Sequence, residues 1–168
     1  MKKGVQELHE KLRGSSIFKE WKDKNKNAFL ANVFSSFEKE DDYDIHFGFY
    51  TESDDLLTPF VIDGKGNVTQ SKADKVFRHP ESIIEEVEID RVKIEPHEAL
   101  KSARNDVKSK KPTFNETKAI GILQKKNNTH QWNITLVGQN MDIFNIKINA
   151  EDGKIISSSE VKLFEQLK

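Results

Sequence analysis

The chain has 168 residues, 35% hydrophobic and 33% charged, and its 27 basic side chains nearly cancel 28 acidic ones. With eleven Phe and a formal charge of -1, it is too aromatic for a disordered chain and carries no global field toward nucleic acid or an anionic membrane. The absence of cysteine removes disulfides, thiolate metal sites and cysteine nucleophiles.

"MKKGVQELHEKLRG" begins with the lysines of a signal peptide but lacks the apolar stretch that should follow. No segment approaches the roughly 18 apolar residues of a membrane-spanning helix. The expected location is cytoplasmic as the chain stands, extracytoplasmic if a leader was removed, without membrane insertion. Val5, Leu8 and Leu12 recur at helical spacing until Gly14, and Ser15 or Ser16 can cap a second helix carrying Ile17, Phe18 and Trp21. From residue 28 the period becomes two. "AFLANVFSSF" places Phe29, Ala31, Val33 and Phe37 against Leu30 and Phe34; "YDIHFGFY" aligns Ile45, Phe47 and Phe49; "LLTPFVID" aligns Leu56, Phe60 and Ile62. These segments predict an antiparallel meander, with Pro59 putting the third strand at an edge or a bulge. "SIIEEVEIDRVKI" (82–94) reads as a charged connector or edge strand.

A helix is expected from Pro96, with Ala99, Leu100, Ala103 and Val107 as its buried stripe, ending at Pro112. Strands follow at 117–124, 132–138 and 143–149, separated by the polar "KKNNTH" and "QNMD". "AEDG" then turns into a short "KIIS", and an amphipathic tail carries Val161, Phe164 and Leu167. The order of elements in 1–90 and 91–168 agrees, and "VIDGKGNVTQ" (61–70) matches "INAEDGKIIS" (148–157) as a closing turn. The expected fold is therefore α+β, two helix-plus-antiparallel-meander repeats related by duplication.

The residues "VKIEPHEALKSA" and "QWNITLVGQNMDIFNIKINAEDGKIIS", roughly 92 to 157, resemble the PepSY domain family. The resemblance rests on an Ala-Leu pair in a short helix and a closing turn of Ile148, Asn149, Gly153 and Ile155. The first half is similar to a diverged copy, as in tandem PepSY-like, cystatin-like proteins. The resemblance implies a non-catalytic module, of the kind associated with propeptides that inhibit secreted peptidases and with accessory domains of cell-envelope proteins.

The residues supply no reaction chemistry of their own. His9, His46, His79, His97 and His130 form no H-x-x-x-H or H-x-H pair, so neither a metal nor another cofactor is expected. The acidic stretches 38–44 and 52–55 do not fit a calcium loop, and "DGKGNV" lacks the G-K-[ST] ending of a phosphate loop. Short basic pieces without aromatic platforms exclude nucleic-acid binding.

One asymmetry points to function. The reverse sheet face is polar in the second half (Asn133, Thr135, Asn145, Lys147), apart from Ile120 and Ile122. In the first half it is apolar: Leu30, Phe34, His46, Tyr50, Leu57 and Val61. A second apolar face must meet something, either intramolecular cover or a protein or peptide partner. The expected function is a non-enzymatic binding or regulatory module engaging a peptide or protein, as a monomer or homodimer. The alternative is a small-molecule-binding or enzymatic α+β protein with a pocket, in the manner of nuclear-transport-factor-like proteins.

Overall fold

The computed structural model describes residues 4–37, 44–76 and 81–162. The acidic loop 38–43, His79, Phe164 and Leu167 lie outside the described residues. Helices α1 (Val5–Gly14) and α2 (Ser16–Lys24) meet at Ser15, whose extended backbone breaks the helix and whose Oγ accepts from the Phe18 N–H at 3.3 Å. This is an N-cap that satisfies an orphan donor of the second helix. Strands β1 (Phe29–Ser35), β2 (Ile45–Thr51) and β3 (Leu56–Ile62) form the first meander, with short β4 (Val68–Gln70) and β5 (Asp74–Lys75) paired outside β3. A connector with a 3-10 turn at Ile89–Arg91 reaches α3 (Pro96–Lys110), where Pro96 occupies the first turn. The second meander is β6 (Glu116–Lys126), β7 (Thr129–Gly138), β8 (Asp142–Asn149) and β9 (Ile155–Lys162).

The fold class is α+β. Among the described residues all nine strands belong to one antiparallel sheet, ordered β4-β3-β2-β1-β6-β7-β8-β9 with β5 beside β3. The leading strands of the two meanders, β1 and β6, meet at the centre through Val33↔Leu123, Phe34↔Ile122 and Ser35↔Gly121. The order therefore reads alike from either edge.

The three helices cover one face. Phe18 packs on Phe49 and Phe60 at ring-centroid distances of 4.9 and 5.2 Å, and Trp21 reaches the same two rings. In the second half the fully buried Ala99 and Ala103 face an aliphatic sheet of Ile134, Leu136, Ile146 and Ile148. Their small side chains let α3 approach closely. Trp132 is also fully buried, and its Nε1–H donates to the Ile94 carbonyl at 2.8 Å, fixing the chain where it enters α3.

Of the two readings of 82–94, the structure shows the connector: residues 82–88 and 92–94 form no strand and run irregularly around the 3-10 turn. Other expectations are corrected. The final strand is eight residues long rather than a short "KIIS", and takes in Val161. Pro59 does not put β3 at an edge. Its outer neighbours β5 and β4 pair with residues 56–57 and 60–62, so the missing N–H falls where that ladder is already broken. "KKNNTH" is a two-residue hairpin turn: Asn127 and Asn128 take φ of 50° and 63°, extending β6 and β7 beyond the expected ends.

The two matched turns share a mechanism. Asp63 Oδ1 accepts from the N–H groups of Lys65 and Asn67, both at 2.9 Å, and Gly66 has φ +86°. Asn149 Oδ1 accepts from Glu151 and Asp152 at 2.8 and 3.3 Å, and Gly153 has φ +80°. In each, an Asx side chain folds the backbone over and a glycine takes the left-handed position.

Candidate functional site

Cross-strand register fixes which residues share the face opposite the helices, because directly paired residues point to the same side. One row crosses six strands, through Val61↔His46↔Phe34↔Ile122↔Asn133↔Lys147. Its first four members are apolar or aromatic and half-buried, and the row turns polar at Asn133. The apolar part spans four strands, roughly 15 Å at the usual strand spacing. The His46 ring meets Phe34 edge-on at 5.4 Å. Burial pushes the His46 imidazole below its ordinary pKa against the opposing influence of Asp44, so the ring is neutral at neutral pH. The strip is uncharged along its length.

A second row holds Phe29, Tyr50 and Leu57. Here the chain doubles back: β5 lies beside Leu56 and Leu57, and Ser82–Glu85 stands over Asn32, Leu57 and Gln124, enclosing a groove of about 300 Å³. The Glu85 carboxylate accepts from the Asn128 N–H at 3.1 Å, anchoring this strap to the β6–β7 hairpin. Ile83 on the strap is 85% exposed.

The six residues singled out from the sequence divide accordingly. Phe34, His46, Leu57 and Val61 lie half-buried on the reverse face, three of them in the apolar row. Tyr50 is on that face but buried: its hydroxyl is 2.6 Å from Asp55 Oδ1 and its ring stands edge-on to Phe29. Leu30 is not on the face at all. The register of β1 shifts between Leu30 and Asn32, and this bulge pairs Leu30 with Phe49 on the helix side and Phe29 with Tyr50 on the reverse side. Simple alternation through Ala31 gives the opposite assignment. Phe29 was missed for that reason, while Ile122 joins the strip only through the β1–β6 pairing.

Among the described residues, no group of three or more His, Asp or Glu side chains converges as a metal site. The buried His130 sits apart from this face. Its Nε2 accepts from the Glu88 N–H at 3.0 Å, holding the connector to the β6–β7 hairpin, and burial lowers its pKa.

No known family profile and no curated protein matches the chain. A crystal structure of a putative lipoprotein from Clostridium difficile 630 is similar, with a TM-score of 0.56 and 14% identity over 86% of this chain and 90% of that one. No helix among the described residues is long and apolar enough to cross a membrane. At that identity the likeness is one of fold: an α+β chain whose arrangement of helices and sheet recurs over nearly the whole length of both proteins.

Proposed function

We propose that the chain is a non-catalytic binding module, PepSY-like and built from two duplicated helix-plus-meander units, that engages an extended peptide or protein segment on the reverse face of its sheet. The observation that carries this reading is the uncharged row Val61–His46–Phe34–Ile122, which no helix among the described residues covers. An apolar strip bordered by Asn133 and Lys147 offers burial for a partner's apolar side chains and polar groups for its flanks. The palindromic strand order and the paired Asx turns support the duplication.

The test is selection from a displayed peptide library on the full chain, followed by titration of selected peptides against Val61→Asp and Ile122→Asp. Both positions are half-buried on the sheet surface, so both variants should retain the wild-type circular dichroism spectrum. The expected result is at least about tenfold weaker binding by both. Peptides that bind the folded variants as tightly as wild type, or a library that yields no binder, would overturn the reading.

A further inference from the structure

The helix side holds a separate cavity of about 400 Å³, where α1 and α2 meet β1 and the connector. That volume is within the range of small-ligand sites. Its apolar wall is Phe18, Leu30, Phe49 and Val87, all buried. His9 adds a ring packed on Phe47 at 5.6 Å; burial, helped by nearby Arg13, lowers its pKa to about 4, so it faces the cavity uncharged at neutral pH.

Charge is concentrated at the mouth. Arg13, Lys19 and Lys22 stand there with Asp23 and Glu86, three cations against two carboxylates. Lys22 differs from the others in being half-buried and fixed. Its ammonium donates to the carbonyls of Lys26 and Ala28, both at 2.7 Å. Two of its three N–H groups are thereby held, and the third is uncommitted. Among the described residues none of the three cations forms an ion pair with a carboxylate. A half-buried, positioned ammonium with no direct ion-pair partner beside an apolar cavity suits an anion with an apolar body. One uncommitted N–H and two neighbouring carboxylates favour a singly charged head over a phosphate dianion.

We propose that this cavity binds a small amphipathic carboxylate, its apolar body among Phe18, Leu30, Phe49 and Val87 and its head on the Lys22 ammonium. The site is distinct from the reverse face and stands whether or not that face binds a peptide.

The full chain is titrated by calorimetry with decanoate and with decanol, which shares the apolar body but lacks the charge, and the bound site is mapped by amide chemical shifts. Decanoate is expected to saturate one site, at least about tenfold tighter than decanol, with shifts at Phe18, Leu30, Phe49 and Val87. Lys22→Met should bring decanoate down to the affinity of decanol and leave decanol unchanged. Absence of saturation, equal affinity for the two probes, an unaltered decanoate affinity in Lys22→Met, or shifts centred on Phe34, His46 and Val61 would each overturn the proposal. If Lys22→Met does not fold, the wild-type comparison of decanoate with decanol, with its shift map, decides alone.

Discussion

The two halves of the sheet are covered by different means. The second half lies under one continuous fifteen-residue helix whose fully buried Ala99 and Ala103 face the strands. The first lies under two short helices hinged at Ser15, and fills the gap with rings of Phe18, Trp21, Phe49 and Phe60. A helix with a small-residue seam leaves only a space of about 180 Å³ beside Val107, Phe114 and Leu136; a broken helix over large planar side chains leaves one of about 400 Å³ at the break. The space under the first half is thus about twice that under the second.

The largest effect should come from exchanging the two tryptophans' fates. Trp132→Ala removes a fully buried ring and leaves the Ile94 carbonyl unsatisfied, so a loss of about 5 kcal/mol in urea unfolding is expected. Trp21→Ala, at a half-buried ring, should cost about 2 kcal/mol. Equal losses would show that the halves do not differ in packing.

Added volume sharpens the contrast. Ala103→Leu forces side-chain atoms into the α3 seam and should destabilise by about 1–3 kcal/mol. Leu30→Phe, which can expand into the cavity, should stay within about 1 kcal/mol of wild type.

Acidification should act more on the first half. His9 titrates near 4 in the folded chain and near 6.5 when unfolded. Between those values the unfolded chain holds a proton that the folded chain refuses, so stability is complete above pH 6.5 and declines as pH falls toward 4. Solvent screening of this partly exposed ring limits the effect to about 2 kcal/mol. His9→Phe should flatten that part of a urea-midpoint against pH curve.

The smallest loss expected from a lost contact lies between the halves. Glu95 Oε2 accepts from the Val5 N–H at 2.9 Å, so a side chain at the start of α3 caps the start of α1. Glu95→Ala should cost about 1 kcal/mol and raise amide hydrogen exchange first in α1.

Much of this was legible in the sequence because burial imposes a period. Phe47, Phe49, Phe60 and Ile62 alternate in the chain and point to the helices in the structure, and Val5, Leu12, Ala99, Ala103 and Val107 mark the buried helical stripes. What escaped was set by tertiary pairing. A bulge at Ala31 leaves no compositional mark, yet it exchanges Leu30 and Phe29 between the faces. The apolar strip depends on β1 lying beside β6, which no local pattern encodes. Capture of Val5 by Glu95 likewise needs both halves in place. Asn127-Asn128 did carry a readable signal, since Asn tolerates positive φ, and recognising it as a two-residue turn would have given β6 and β7 their full lengths.

The β1–β6 junction has a consequence for how the chain finds this structure. Its ladder has three residue pairs, and Val33 and Leu123 are 90 positions apart in the sequence. By contrast, β6 and β7 zip from Lys126↔Thr129 outward around their two-residue turn. Closing a long loop carries its entropic penalty before the contacts repay it, whereas the hairpin needs almost none. Folding kinetics should therefore show Ile134→Val slowing the folding limb, while Val33→Ala acts mainly by speeding unfolding. The centre of the sheet would be its last part to assemble.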